Sequence, residues 1–311
     1  MTGAQSLTVV FSASGRPGLS QVAALRAAGR PVRAITRQRR LHPVLQDVDV
    51  VAADLNDADS VAQACAGAEV VLYTAPTFAE RTRSVEHIEL VGRCAAQAGA
   101  RRVVYNTTSW YPTEPIGVPS MDRGVAMKRA LVATGAPVTI VQPSLFMDNL
   151  LTRWVKPYLL RDDEFAYPHA EELEVSWISL DDVARFMIAA ADRDDCRGAT
   201  VDIGGPEVLR PAQVADILGR QLGRPIRYRR LTPLEFGERM YEVFASTTDV
   251  DRDTYVSDLV KHYEFKNVAN PFRVPMDETI SRFGIVPSTL AEWAARQRWT
   301  MDDEPIGSVS G

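Results

Sequence analysis

The residues best placed to do chemistry begin with a seven-residue loop, Ser12–Gly18 (SASGRPG). It is built of small residues, with Ser12, Ser14, Gly15 and Gly18, and it carries Arg16 and Pro17. Gly15 lets the backbone turn and a ligand approach closely, and Gly18 lets a following helix pack on the preceding strand. Pro17 suits a first helical turn, where its missing N–H is no loss. The unpaired N–H groups and dipole of such a turn attract a pyrophosphate. Arg16 can pair with a phosphate in fork geometry, or lie on the surface as a turn residue. The first glycine of the dinucleotide fingerprint is missing. Its place falls on Ser12 in one spacing and on Ala13 in the other.

Arg37 follows Gly18 by about twenty residues; an acid at that distance serves the ribose hydroxyls of NAD, whereas an Arg fits a 2′-phosphate. NADP(H) is therefore expected over NAD(H), with Arg39 and Arg40 adding charge nearby; a solvated basic loop is the alternative. Asp54 can take an adenine amino group while Leu55 packs on the ring, and it can equally cap a helix. Thr74, Ala75 and Pro76 are small residues at which a ligand can lie along the backbone, or a plain strand exit.

These residues need a scaffold that brings them to one edge. Short apolar runs at Leu7–Phe11, Pro31–Ile35, Val48–Ala53, Glu69–Thr74, Arg101–Asn106 and Pro137–Gln142 read as strands. Helical patterns lie between them, from Leu19 to Gly29, at Ala58–Cys65, from Val85 to Gly99 and at Met121–Thr134. This alternation predicts an α/β fold with a doubly wound parallel sheet, whose ligands sit beyond the carboxyl ends of the strands. Thr107–Trp110 and Pro143–Phe146 join the candidate site on that ground. Residues 1–150 form the expected dinucleotide domain, 151–299 a smaller, mostly helical lobe, and 300–311 a polar tail. Helices are expected at Asp181–Ala191, Pro211–Leu222 and Pro233–Phe244, and Asp162–Glu164 reads as a loop. A strand at Ala199–Ile203 can belong to either lobe. Pro287–Trp299 opens with a capping box, Thr289 with Glu292.

Composition narrows the classes. The 311 residues are 46% hydrophobic and 24% charged, which suits a globular chain with a sizeable core. A net charge of −5 argues against a nucleic-acid surface. Neither a signal peptide nor a membrane span is evident, and three widely spaced cysteines fit reduced thiols, so a cytoplasmic setting is expected. A small-molecule substrate is the expected partner.

The chain resembles the NmrA-like family, a branch of the atypical short-chain dehydrogenase/reductases, nearly end to end. Gly15-Arg16-Pro17-Gly18 is similar to the family's phosphate loop and Val32–Arg37 (VRAITR) to its second strand with an NADP-selecting Arg. Val51–Leu55, Thr134–Asn149 (TGAPVTIVQPSLFMDN) and Trp177–Ala184 (WISLDDVA) match further segments in order. So do Ile203–Pro206, Leu222–Pro225 and Gly284–Trp293. The resemblance implies a Rossmann domain that binds NADP(H), with a small C-terminal lobe closing a substrate cleft.

The wider superfamily uses a Tyr-x-x-x-Lys helix and a Ser or Thr on the fifth strand. Counting back from Thr134-Gly135, the Lys slot falls on Gly124 and the Tyr slot on Ser120. Lys128, one turn on, can substitute or be a solvated helix Lys. Thr108 matches the Ser/Thr slot, with Thr107 and Ser109 beside it. A proton donor must then come from elsewhere. Tyr111, just after the fifth strand, is the first candidate, and His169 in the second lobe another; a packed aromatic and a structural His are the alternatives. Trp154, Tyr158 and Phe165 can line an apolar pocket or fill the core between lobes. The leading expectation is an NADP(H)-dependent oxidoreductase of a small, partly apolar carbonyl, quinone or enone. A non-catalytic NADP(H)-sensing regulator with a protein partner, and an isomerase or lyase without net redox change, are the other readings. No metal-ligand spacing is present.

Overall fold

The structure, a computed structural model, describes residues 6–37, 42–75 and 81–301. Arg39, Arg40, Pro76, Thr77 and the segment 302–311 lie outside the described residues.

The first half alternates as expected: β1 (Thr8–Val10), α1 (Arg16–Ala27), β2 (Val32–Thr36), β3 (Asp49–Ala52), α2 (Ala58–Cys65), β4 (Val70–Thr74), α3 (Ser84–Gln97), β5 (Arg102–Asn106), α4 (Pro119–Ala133) and β6 (Val138–Pro143). The second half holds β7 (Leu145–Phe146), α5 (Lys156–Arg161), β8 (Glu164–Tyr167), β9 (Trp177–Ile178), α6 (Leu180–Asp192), β10 (Thr200–Ile203), α7 (Pro211–Leu222), β11 (Arg227–Arg230), α8 (Pro233–Phe244), α9 (Arg252–Ala269), α10 (Asp277–Phe283) and α11 (Leu290–Ala295).

Seven strands pair in parallel in the order β10-β6-β5-β4-β1-β2-β3. The strand order reverses beside β1, so the loop after β1 opens into the crevice where such sheets bind ligands. Helices cover both faces, which is why β4, β5 and β6 are buried along their whole length and read as continuous apolar runs. The Ala199–Ile203 run belongs to this sheet: β10 pairs with β6, and α6 packs on α1. Chain beyond residue 150 thus returns to the first core.

A second core lies between α7, α8, α9 and the two-stranded sheet of β8 and β11, around Phe165, Tyr167, Trp177, Phe236 and Tyr263. One expectation needs correction here. Glu164 begins β8 rather than closing a loop, because Phe165 and Tyr167 face the aromatic core and their backbone pairs with β11. The long α9 goes unforeseen. Its N-terminus is capped by Asp251, whose carboxylate accepts from Thr254 N–H at 2.9 Å. Its buried stripe is Tyr255, Leu259, Tyr263 and Lys266, so a lysine sits where helical periodicity calls for an apolar residue.

Candidate functional site

The turn after β1 is tighter than the sequence suggests. Gly15 has an ordinary extended backbone, φ −76° and ψ 158°, while Ser12 takes the left-handed conformation at φ 54°. The turn therefore falls where the fingerprint glycine is missing, at a cost of roughly 1–2 kcal/mol for an L-residue. Gly18 is fixed by contact: a Cβ there would lie 2.3 Å from the Ser12 carbonyl oxygen and 2.7 Å from Ala13 Cα. Gly15 has more room, with the same oxygen at 3.3 Å. Gly15 caps α1, Pro17 sits in its first turn, and the first-turn N–H groups point out of the helix end.

Arg16 turns toward the second half of the chain. Its Nη1 donates to the Asp148 carbonyl at 2.8 Å, its Nη2 to Asn149 Oδ1 at 3.3 Å, and its guanidinium lies over the Trp154 ring. Asp148 in turn accepts from Leu180 N–H at 2.9 Å, and burial raises its carboxyl to about 6. The loop is thereby tied to the 148–149 turn and to α6.

A cavity of about 610 Å³ opens from this loop. At one end lie Ser12, Ser14, Gly15, Arg16, Pro17, Arg37, Leu55, Thr74 and Ala75. Thr108 follows at the tip of β5, also left-handed at φ 63°, with Phe146 opposite. Trp154, beside Arg16, and Tyr167, Phe236 and Phe244 add an aromatic lining. Among the described residues no Asp or Glu lines the cavity, although the chain as a whole is acidic. A glycine-lined helix start, an Arg at the end of β2 and a lining without carboxylates suit a phosphorylated dinucleotide.

Several expected site residues sit elsewhere. Asp54 accepts from Asn56 N–H at 2.9 Å and Asn56 Nδ2 at 3.0 Å, so its carboxylate holds the turn before α2 and stays outside the cavity lining. Thr107 is fully buried, with its hydroxyl on the Val141 carbonyl at 3.2 Å. Pro143 pairs with Ile203 within the sheet, and Gly18 packs under the loop. Lys128 donates to the carbonyls of Tyr111 and Pro112 and to Gln142 Oε1, at 2.9–3.0 Å, and so pins the loop after β5 rather than facing the cavity. His169 is fully buried behind the cavity wall, ringed by Tyr167, Trp177, Tyr263 and Phe272. Neither ring nitrogen finds a partner among the described residues, and burial pushes its pKa down to about 3, so it stays neutral. Trp154 lines the cavity, whereas Phe165 is core.

Tyr111 does line the cavity, and its place explains the missing lysine slot. Its ring lies flat on α4 at Gly124, where a Cβ would be 2.3 Å from Tyr111 Cδ1. Burial raises the phenol, opposed by Arg123, Arg81 and a hydrogen bond from Thr108. The tyrosine slot, Ser120, shares a 2.8 Å hydrogen bond with His262 Nδ1 on α9.

Lys266, one turn past His262, is the residue that reading the sequence missed. It is 1% exposed and lines the cavity. Its Nζ donates to Ser109 Oγ and lies 4.5 Å from the centre of the Phe272 ring. Burial lowers its pKa to about 7, with no carboxylate partner among the described residues. The signal available beforehand was a Lys in phase with Tyr255, Leu259 and Tyr263 on one helix face. Among the described residues no group of three His, Cys, Asp or Glu side chains could hold a metal, and no helix is long and apolar enough to cross a membrane. The three cysteines are free and buried.

A model of the NmrA-like family matches residues 4–294. An NAD(P)H azoreductase from Xenophilus azovorans is 27% identical over 232 residues, 73% of this chain and 77% of that protein. Among solved structures, a nucleoside-diphosphate-sugar epimerase from Staphylococcus aureus superposes with a TM-score of 0.74 at 19% identity, covering 93% of this chain and 99% of the other. An NADPH-dependent quinone oxidoreductase from Escherichia coli, complexed with NADPH, gives 0.71 at 20% identity, with 93% and 98% covered. At these identities the two structures establish the fold.

Proposed function

The chain belongs to the NmrA-like family, and on that premise we propose that it is an NADP(H)-dependent reductase of a small, partly apolar carbonyl, quinone or enone. The observation that carries this reading is one continuous cavity lined by a glycine-lined helix start, by Arg37 and by the buried Lys266. Relatives described as an NAD(P)H azoreductase and an NADPH-dependent quinone oxidoreductase support it.

In this reading the start of α1 holds the pyrophosphate and Arg37 the 2′-phosphate, which favours NADP(H) over NAD(H). When bound, the nicotinamide supplies a hydride. Lys266 gives a proton to the substrate atom that gains charge, a role for which a pKa near neutrality is suited. The Ser109 hydroxyl, bonded to Lys266 Nζ, aims the ammonium toward the tip of β5. Tyr111, locked on Gly124, forms the opposite wall, and Trp154, Phe236 and Phe244 exclude water.

Ser120 and Gly124 in the usual Tyr and Lys slots favour a second reading, a regulator that binds NADP(H) without consuming it. The loss of NADPH absorbance across a panel of quinones, enones and aldehydes separates the two. Turnover on at least one member is expected. Saturable NADPH binding by calorimetry with no consumption on any would overturn the reductase in favour of the regulator.

A further inference from the structure

His262 and Lys266 lie one turn apart on the same face of α9, and both line the cavity. His262 is half-buried. Its Nδ1 lies 2.8 Å from the Oγ of Ser120, which stands in the first turn of α4 and lines the cavity too. That contact occupies one ring nitrogen and leaves Nε2 as the nitrogen a cavity ligand can reach. Tyr263 braces the ring edge-on, with centroids 5.2 Å apart and planes at 63°. Burial, with Lys266, Arg81 and Arg123 nearby, holds the imidazole well below its ordinary 6.5. Asp258, one turn earlier on α9, lies 3.9 Å from Arg123 Nη1. The ring therefore carries one proton, and the Ser120 contact decides which nitrogen bears it. A hydroxyl in the first turn of a helix turns its lone pairs toward the positive helix end and its proton away. The Ser120 O–H then donates to Nδ1, which places the ring proton on Nε2.

We propose that Nε2–H of His262 donates a hydrogen bond to the substrate oxygen that Lys266 protonates, with Ser120 fixing the ring, so that the site selects ketones, aldehydes and quinones over imines and azo compounds. A carbonyl oxygen has two lone pairs and accepts from both donors at once; an imine or azo nitrogen has one. Donors already aimed at the atom where charge develops need no reorganisation during the reaction. The carbonyl carbon takes the hydride, the oxygen takes the proton of Lys266, and His262 keeps its own. The identity of the reacting atom rests on the reductase reading; the hydrogen bond from Nε2 to a carbonyl ligand does not.

The test is NMR of the full chain, ¹⁵N-labelled at histidine, with NADP⁺ present. The signal missing from His262→Gln assigns His262 among the four histidines. The wild-type ring should be the Nε2–H tautomer from about pH 5.5 to 8, and 2-acetonaphthone should shift its Nε2 signal saturably. The ketone should bind about tenfold or more tightly than 2-isopropenylnaphthalene, in which a CH₂ replaces the oxygen. His262→Phe should cut that preference to about threefold or less, while His262→Gln, which keeps an amide donor, retains part of it. NADP⁺ binding by each variant serves as the check on folding. An Nδ1–H tautomer, a ring that protonates near pH 6.5, no shift with the ketone, or equal affinity for ketone and alkene in the wild-type protein would overturn the proposal. Ser120→Ala should let both tautomers appear, and an unchanged spectrum would overturn the positioning role of Ser120. A ketone-dependent shift without NADPH consumption on any substrate would sink the reductase reading and leave the hydrogen bond standing.

Discussion

The two ends of the cavity are built by different means. Around the loop after β1 most of the lining comes from one stretch of chain, Ser12–Arg37, where a turn, a helix and a strand follow each other directly, with Leu55, Thr74 and Ala75 added from the ends of later strands. At the substrate end the groups come from four elements far apart in sequence: Arg81 before α3, Tyr111 after β5, Ser120 and Arg123 on α4, and His262 and Lys266 on α9. The first end is a local device, fixed by backbone geometry. The second is an assembly, in which α9 crosses α4 and brings polar groups to face the slots that Ser120 and Gly124 leave without their usual occupants.

Substitutions at each end should therefore fail differently. Lys266→Met removes the proposed proton donor, and kcat/KM for the reductase reaction should fall by about 10²–10⁴-fold with NADPH affinity nearly unchanged. Equal losses in turnover and NADPH binding would place Lys266 in the framework instead. Arg37→Ala should weaken NADPH by about tenfold or more while leaving NADH within about threefold, read by calorimetry. Parallel losses for the two cofactors would defeat the 2′-phosphate assignment. Gly124→Ala pushes a methyl into the Tyr111 ring and should cost about 1–3 kcal/mol in denaturant unfolding. A silent Gly124→Ala would mean that Tyr111 is not locked there.

Stability should also betray Lys266. Burial holds its pKa near 7 in the folded chain against an ordinary value of 10.5. Between those values the unfolded chain binds the extra proton, so this residue makes stability rise with pH. Lys266→Met should accordingly raise Tm most at or below pH 7, with the gain shrinking toward pH 10. A constant difference across that range would show that the lysine is not buried as a charge.

The same contrast governs how much the sequence discloses. The sheet, α1 and the helices Pro211–Leu222 and Pro233–Phe244 are legible because their periodicity, caps and breakers are local. The loop after β1 is legible for the same reason, apart from the placement of its left-handed residue at Ser12 rather than Gly15. The substrate end is not. Lys266 and His262 interrupt the apolar stripe of α9, and a charged residue on a helix reads as solvated unless the partner helix is known. Lys128 misleads in the opposite sense: it lies on the right helix, yet the carbonyls of Tyr111 and Pro112 take its ammonium. His169 reads as a donor in a variable segment, and the aromatic cage that neutralises it forms from residues up to Phe272. What spacing along the chain cannot encode is which distant element closes the site.

The pH dependence of kcat/KM, measured from pH 5.5 to 9.5 in the wild-type chain and in Lys266→Met, tests the role of α9 most directly. A proton donor with a pKa near 7 must be protonated to act, so wild-type kcat/KM should decline above about pH 7, approaching tenfold per pH unit. In Lys266→Met the residual rate should lose that descending limb. A descending limb that persists unchanged in the variant would contradict the assignment of the proton to Lys266.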